Sequence, residues 1–194
     1  MTNSVGRMGA ESAGALLGAL RQGASPAADA ARARLAYAGA QAERDGRGQL
    51  RAEVASGLGA SLGPSDEALA RWLLEQEIAA HEARQAGASE ALYTLVAALA
   101  RFGRSEDALL IWRAREATPE TRAGVDVEQL ARAGVAPTRA ALERLAGRGS
   151  TQSPAARRAL GWFNQGAAEG AFDDLPGYFL WADERFGLTV SGPT

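Results

Sequence analysis

The sequence contains neither cysteine nor lysine among its 194 residues. Without cysteine, the chain cannot form disulfides, thiolate nucleophiles, iron–sulfur clusters or cysteine-ligated zinc sites. Without lysine, it has neither a Schiff-base amine nor the lysine of a phosphate-binding P-loop. All 21 basic residues are arginine. GC-rich codon usage explains that bias, and selection against lysine-directed modification is the alternative.

Histidine and long apolar runs are also scarce. His81 is the only histidine, so a multi-histidine metal site cannot form within one chain. No apolar run approaches the roughly 20 residues that a membrane span needs. The net charge of -2 and the pI of about 5.6 provide no broad basic field. We therefore expect a cytoplasmic protein without metal, cofactor or membrane contact, and we disfavour nucleic acid as a partner.

The residues that are present predict an all-α fold. Strong helix formers dominate the composition, whereas valine and isoleucine are scarce. Caps, apolar periodicity and breakers predict helices at 12–22, 26–44, 48–60, 65–85, 89–102, 105–117, 125–133, 138–147, 154–165 and 176–186. The connections are mostly short and contain glycine or proline, which makes neighbouring helices antiparallel. The longest irregular stretches are expected at 118–124 and 147–154.

These helices are expected to stack as antiparallel pairs in an irregular α-solenoid or repeat bundle. A serine, two acids, Ala-Leu, two further residues and a tryptophan occur at 65–72 and again at 105–112. Serine caps a helix, acids suit its positive end, and the following apolar residues begin a buried face. Thr138 begins a degenerate copy. The pattern predicts that Trp72 and Trp112 occupy equivalent buried positions.

The segment from 89 to 119 is the best-formed unit of this repeat. It carries spaced leucines, a turn glycine, a small residue, a large apolar residue and a final proline, at Leu92, Leu95, Leu99, Gly103, Ala108, Trp112 and Pro119. This pattern resembles a tetratricopeptide or pentatricopeptide repeat. The resemblance implies a superhelix whose concave groove binds peptides or protein surfaces, with Glu90, Tyr93, Ala97 and Arg101 facing the groove. The pentatricopeptide version would imply recognition of single-stranded RNA, which the few clean repeats and the acidic balance disfavour.

Residues that could carry catalysis have simpler structural interpretations. His81 shares a helix face with Glu77 and Gln85, which would be half of a metal site, but an exposed polar stripe or a helix-terminal histidine is the favoured interpretation. The acid pairs at 66–67 and 106–107 are explained as charges at helix N-termini. The sequence contains no G-x-S-x-G nucleophile elbow. We therefore expect a protein that is not an enzyme.

Aromatic residues are concentrated near the C-terminus. Seven of the 12 aromatic residues lie in the last 33 positions. A helix at 176–186 would be aromatic on two faces, with Tyr178 and Trp181 on one of them, and such a helix needs a surface to cover it. The helix is interpreted either as a cap that seals the end of the repeat stack or as a docking or homodimer surface.

Together these patterns predict three regions and one function. Residues 1–11 are expected to be a disordered N-terminus, 12–170 the helical repeat domain, and 171–194 an aromatic capping helix and tail. The predicted function is a protein-interaction or scaffold module that binds a peptide or protein surface. Arg71 joins the predicted groove because arginine suits the carboxylates of a peptide partner. The alternatives are a small-molecule binder or enzyme with a site between helices and, third, a regulatory or RNA-binding repeat.

Overall fold

The computed structural model describes residues 12–39, 47–84 and 87–188. Within these ranges the chain forms α-helices and short 3-10 helices and contains no strand. The α-helices are α1 (Ala13–Arg21), α2 (Pro26–Leu35), α3 (Gly48–Gly59), α4 (Glu67–Arg84), α5 (Glu90–Arg101), α6 (Ala108–Glu116), α7 (Pro119–Gly124), α8 (Val135–Gly147), α9 (Ser153–Ala168) and α10 (Leu175–Arg185). The all-α prediction is confirmed. The predicted disordered segment 1–11 lies outside the described residues.

Two predictions of secondary structure need correction. The helix predicted at 26–44 ends at Leu35, because the chain turns extended at Ala36. Arg47 donates hydrogen bonds to the carbonyl oxygens of Ala33 and Ala36 and so holds this early end. The stretch 118–124, expected to be irregular, contains α7. Thr118 caps α7 by accepting a hydrogen bond from the backbone N–H of Thr121.

The predicted capping residues divide into two groups. Ser12, Ser25 and Ser89 cap α1, α2 and α5 with their side chains, as expected. Ser65 and Ser105 instead lie inside 3-10 helices, Pro64–Asp66 and Ser105–Asp107, that precede α4 and α6. Thr138 lies inside α8, where its buried hydroxyl donates to the carbonyl oxygen of Leu130. The sequence pattern therefore marked the starts of α4 and α6 but assigned the wrong residues as their caps.

The core is organised around α5. Eight of its twelve residues are buried, and the helix packs against α3, α4, α6 and the 3-10 helix Val127–Ala133. Most of the buried apolar side chains form one continuous cluster that extends along the chain from Leu16 to Phe163. Burial of this apolar surface is the main stabilising contribution to the fold.

The two tryptophans of the repeated pattern are not equivalent. Trp112 is buried, with 5% of its surface exposed, whereas Trp72 is half-buried. Trp72 lies five residues after the start of α4, and Trp112 lies four residues after the start of α6. One residue rotates a side chain by about 100° around a helix. The prediction of equivalent burial is therefore wrong for Trp72.

What the two segments do share is a buried aspartate held by an arginine. Arg21 donates to Asp66 from Nε to Oδ1 at 2.9 Å and from Nη2 to Oδ2 at 2.7 Å. In the second segment, Nη1 and Nη2 of Arg71 lie 2.6 and 3.1 Å from Oδ1 and Oδ2 of Asp107. We name these two pairs the Arg–Asp clamps. Each clamp fixes the 3-10 helix in front of α4 or α6 to an earlier helix.

Candidate binding cleft

A cleft of about 390 Å³ lies between α4, α6, α8 and the residues that follow α8. We name it the arginine cleft. Its lining residues are Arg71, Glu75, Glu106, Asp107, Leu109, Leu110, Arg113, Ala141, Arg144, Leu145, Arg148 and Gln152. A volume of this size is within the range of small-molecule and peptide side-chain pockets.

One part of the arginine cleft is apolar. Leu109 and Ala141 are buried, and Leu110 and Leu145 are half-buried beside them. The leucines come from α6 and α8, whose apolar faces meet the core below the cleft. This surface can therefore receive an apolar group of a ligand without any change in the fold.

The charged lining consists of four arginines and three acids. Arg71 is held by Asp107 in the second Arg–Asp clamp, and Arg113 lies 3.6 Å from the carboxylate of Glu82. Arg144 lies in the last turn of α8, and Arg148 follows the helix directly, one turn further on. Both are exposed, and within the described ranges neither forms an ion pair. Their guanidinium groups are available to a carboxylate.

Asp107 is a titratable residue in the wall of the arginine cleft. Burial raises the pKa of its carboxyl from the usual 3.8 to about 6. The Arg71 guanidinium counteracts part of this effect, and the carboxylate of Glu67 adds to it. Near neutral pH, Asp107 is therefore ionised and engages Arg71, whereas mild acid protonates it.

The predicted groove residues lie along α5, on a face that the C-terminal segment covers. Glu90 is exposed, whereas Ala97 is buried beside Leu188. Tyr93 is half-buried, and its ring centroid lies 6.3 Å from that of Phe186. Arg101 donates to the carbonyl oxygen of Leu188 at 3.3 Å. The role of these four residues in binding a partner stays a prediction, and in this conformation their face is occupied by the chain itself.

The aromatic helix α10 has one attached face and one exposed face. Tyr178 donates its hydroxyl proton to Asp126 at 3.0 Å, and burial is the main cause of its raised pKa. Elsewhere on the helix, Leu180 and Trp181 have 74% and 51% of their surfaces exposed. Tyr178 thus anchors the helix, and the ring of Trp181, whose centroid lies 5.6 Å from that of Tyr178, stays half-exposed beside it.

His81 lies in the last turn of α4, as the helix-terminal alternative predicted, but it is buried in a polar cluster, so the alternative of an exposed stripe is wrong. Arg51 and Glu77 form an ion pair at 2.5 Å, and Ser89 donates to Glu77 at 3.0 Å. The Nε2 atom of His81 lies 3.1 Å from the Ser89 hydroxyl and 3.6 Å from Glu77. Serine and carboxylate thus face the same ring nitrogen, whereas a catalytic relay places them on opposite nitrogens. Gln85 lies outside the described residues.

Sequence reasoning found Arg71 but missed Arg144 and Arg148. These two arginines are four residues apart and so lie on one side of the helix end, and Leu145 lies three residues before Arg148. That spacing could have indicated a shared binding surface, but arginines at a helix C-terminus are also common because they suit the helix dipole. Only the packing of α8 against α6 shows that they border a cleft.

Among the described residues, no group of three or more histidine, aspartate or glutamate side chains could hold a metal ion. In the same part of the chain, every helix is too short or too polar to cross a bilayer. No protein-family model, curated protein or solved structure matches this chain.

Proposed function

We propose that this chain is a protein-interaction module that binds a segment of a partner protein in the arginine cleft. The segment would place an apolar side chain on the leucine surface and a neighbouring carboxylate between Arg144 and Arg148. The observation that carries the proposal is the position of these two arginines, which lack an ion-pair partner in the described part of the chain, beside a half-exposed apolar surface. An arginine–carboxylate pair supplies directional, charge-assisted hydrogen bonds.

Two further observations support a binding role. Arg71 is fixed by Asp107, so one wall of the cleft is ordered before a ligand arrives, which lowers the entropic cost of binding. The Ser89–His81–Glu77 group is arranged as hydrogen-bonding support for helix junctions. The proposal therefore contains no catalytic step.

We also propose that α5 and α6 are one tetratricopeptide-like pair within an irregular helical array. The two helices contact each other, and the turn between them uses Gly103 with a positive φ of 63°. Glycine adopts that conformation without steric cost. The proposal for the arginine cleft does not depend on whether α5 and α6 form a tetratricopeptide-like pair.

Fluorescence anisotropy with labelled synthetic peptides tests the arginine cleft. One peptide series carries leucine flanked by glutamates, and a matched series carries glutamine at the same positions. We expect the glutamate series to bind more tightly, and we expect the double variant Arg144→Glu/Arg148→Glu to weaken that binding by roughly tenfold or more. The double variant Arg122→Glu/Arg158→Glu is the control, because both residues are exposed and lie outside the cleft.

Equal affinity of the two peptide series would contradict the proposal. So would an unchanged affinity in the Arg144→Glu/Arg148→Glu variant. A small amphipathic carboxylate is the second candidate ligand, because the volume of the cleft suits one. Direct binding of a medium-chain fatty acid, together with no binding of either peptide series, would favour that second candidate.

A further inference from the structure

Helix α10 carries an exposed apolar surface with an acid beside it. Across the described ranges, no large apolar side chain is as exposed as Leu180 and Trp181. Glu184 is also exposed, one helical turn after Leu180, and in the same part of the chain it forms no ion pair. We name these three residues the α10 face.

The rest of α10 is fixed to the body of the protein. Arg132 donates to both carboxylate oxygens of Asp183, at 3.3 and 2.8 Å, and its guanidinium carbon lies 4.3 Å from the ring centroid of Phe179. Tyr178 adds its hydrogen bond to Asp126. No residue of α10 lines the arginine cleft of the same chain. A contact between the α10 face and an arginine cleft therefore has to join two copies of the chain.

Charge is distributed unevenly over the last third of the chain. Residues 135–168, which contain α8 and α9, include five arginines and one acid. Residues 169–188, which contain α10, include five acids and one arginine. Surfaces of opposite charge on two molecules attract each other and determine the orientation in which they meet. The α10 segment of one copy is thus complementary in charge to the α8–α9 segment of another.

The α10 face also has the chemistry that the arginine cleft requires of a ligand. On α10, Glu184 follows Leu180 by four residues, and at the end of α8 Arg148 follows Leu145 by three. Residues three or four apart are neighbours on a helix surface. Both surfaces therefore place an apolar group about one turn from a charge, and the two charges are opposite. Trp181 adds apolar area, and tryptophan is among the residues that dominate the binding energy of protein interfaces.

We propose that the arginine cleft of one copy binds the α10 face of a second copy. Leu180 of the second copy lies on the leucine surface of the cleft, and its Glu184 carboxylate lies between Arg144 and Arg148. This inference rests on the proposed function, because it names the chain itself as the partner of the cleft. Every copy presents both surfaces, so the assembly either closes as a dimer or ring or extends into a longer chain.

Analytical ultracentrifugation of the full chain, from about 1 to about 500 µM, tests this contact. We expect the wild type to self-associate within this range. We expect Leu180→Asp, the α10 variant, and Arg144→Glu/Arg148→Glu, the cleft variant, each to weaken self-association at least about tenfold. Asn164→Asp is the matched control for the α10 variant, because it adds the same charge at an exposed position outside both surfaces. All the substituted side chains are exposed, and circular dichroism checks that each variant is folded.

A mixture of the two variants identifies which surfaces meet. The α10 variant retains an intact cleft, and the cleft variant retains an intact α10 face. We expect the mixture to form a one-to-one complex, although each variant alone is largely monomeric. A contact of α10 with α10, or of cleft with cleft, is not restored by mixing. A mixture that contains only monomers would therefore overturn the proposal.

Two results with the wild type separate this inference from the proposed function. If the chain stays monomeric over the whole range while the glutamate peptides bind, the inference is wrong and the cleft serves another protein. If the peptides also fail to bind, both proposals are wrong. When the wild type does self-associate, an excess of the glutamate peptide should dissociate the assembly, because both compete for the cleft. An assembly that the bound peptide leaves intact would show that the copies meet elsewhere.

Discussion

At the scale of single residues, Asp107 is the clearest case of a side chain whose surroundings change its chemistry. It is buried, and burial disfavours the charged carboxylate more than the Arg71 guanidinium favours it. The result is a carboxyl group that titrates near pH 6 rather than near its usual 3.8. Protonation removes one of the two carboxylates that pair with Arg71, the other being Glu67, and makes the arginine cleft more positive.

The sign of the pH effect on stability follows from this raised pKa. Between pH 3.8 and 6 the folded chain holds a proton on Asp107 that the unfolded chain releases, so this group favours folding more at low pH. Relative to Asp107→Asn, the wild type should lose roughly 1 kcal/mol of unfolding free energy between about pH 5 and about pH 7.5. Urea denaturation of both proteins at the two pH values measures this difference. Parallel pH profiles of the two proteins would contradict it.

At the scale of elements, the Arg–Asp clamps explain how the 3-10 helices before α4 and α6 are fixed. In the first clamp, Asp66 accepts two hydrogen bonds from Arg21 and one from the backbone N–H of Gly63. Arg21 also donates to the carbonyl oxygen of Ser61 at 2.8 Å. The carboxylate therefore joins the end of α1 to the start of α4, and its removal would leave several donors without an acceptor.

We expect Asp66→Ala to lower the free energy of unfolding by roughly 2–3 kcal/mol, because the part-buried N–H of Gly63 and the Arg21 guanidinium lose their acceptor. Asp29→Ala is the control, since Asp29 is exposed in the first turn of α2. Thermal and urea denaturation measure the change in stability for Asp66→Ala and for Asp29→Ala. If Arg21→Met is combined with Asp66→Ala, the double variant should be little less stable than Asp66→Ala alone. If the stability losses of the single variants Arg21→Met and Asp66→Ala simply add in the double variant, the clamp contributes nothing to stability.

Local signals in the sequence predicted the helices well but not their tertiary environments. Serine caps and glycine turns placed α1, α5 and most other helices, because these signals act within a few residues. The predicted groove on α5 could not be evaluated in the same way, since Leu188 reaches it from 91 positions beyond Ala97. Likewise, Arg144 becomes part of a cleft only when α8 packs on α6. Contacts between distant segments leave no periodic pattern in the sequence.

At the scale of the whole molecule, the continuous core favours one cooperative unit. A linear repeat array has contacts between neighbouring repeats only, and its parts can unfold separately. The contacts of α5 with α3, α4, α6 and the 3-10 helix Val127–Ala133 join elements close in the chain, as in an array, but they lie within one apolar cluster that extends from Leu16 to Phe163. Arg51 adds a polar link, because it binds the carbonyl oxygen of Leu35 as well as Glu77.

Replacement of Arg51 tests this cooperativity. Arg51→Met leaves the buried Glu77 without its ion-pair partner and should lower the free energy of unfolding by roughly 3–5 kcal/mol. The double variant Arg51→Met/Glu77→Leu should regain part of this loss, because no uncompensated charge then remains. Both variants are measured by urea denaturation with circular dichroism, which reports all helices at once.

Tryptophan fluorescence, used as a second probe of unfolding, distinguishes one cooperative unit from an array of separable repeats. In a Trp72→Phe/Trp181→Phe background, fluorescence reports only Trp112 in α6 and Trp162 in α9, whose ring centroids lie 5.4 Å apart. Arg51 links α2, α3 and α4, whereas the two tryptophans lie in α6 and α9. The Arg51→Met substitution therefore shifts the fluorescence midpoint together with the circular dichroism midpoint only if the core unfolds as one unit. We expect coincident shifts. A fluorescence transition that stays in place while the helical signal splits into two phases would instead favour a solenoid of separable repeats.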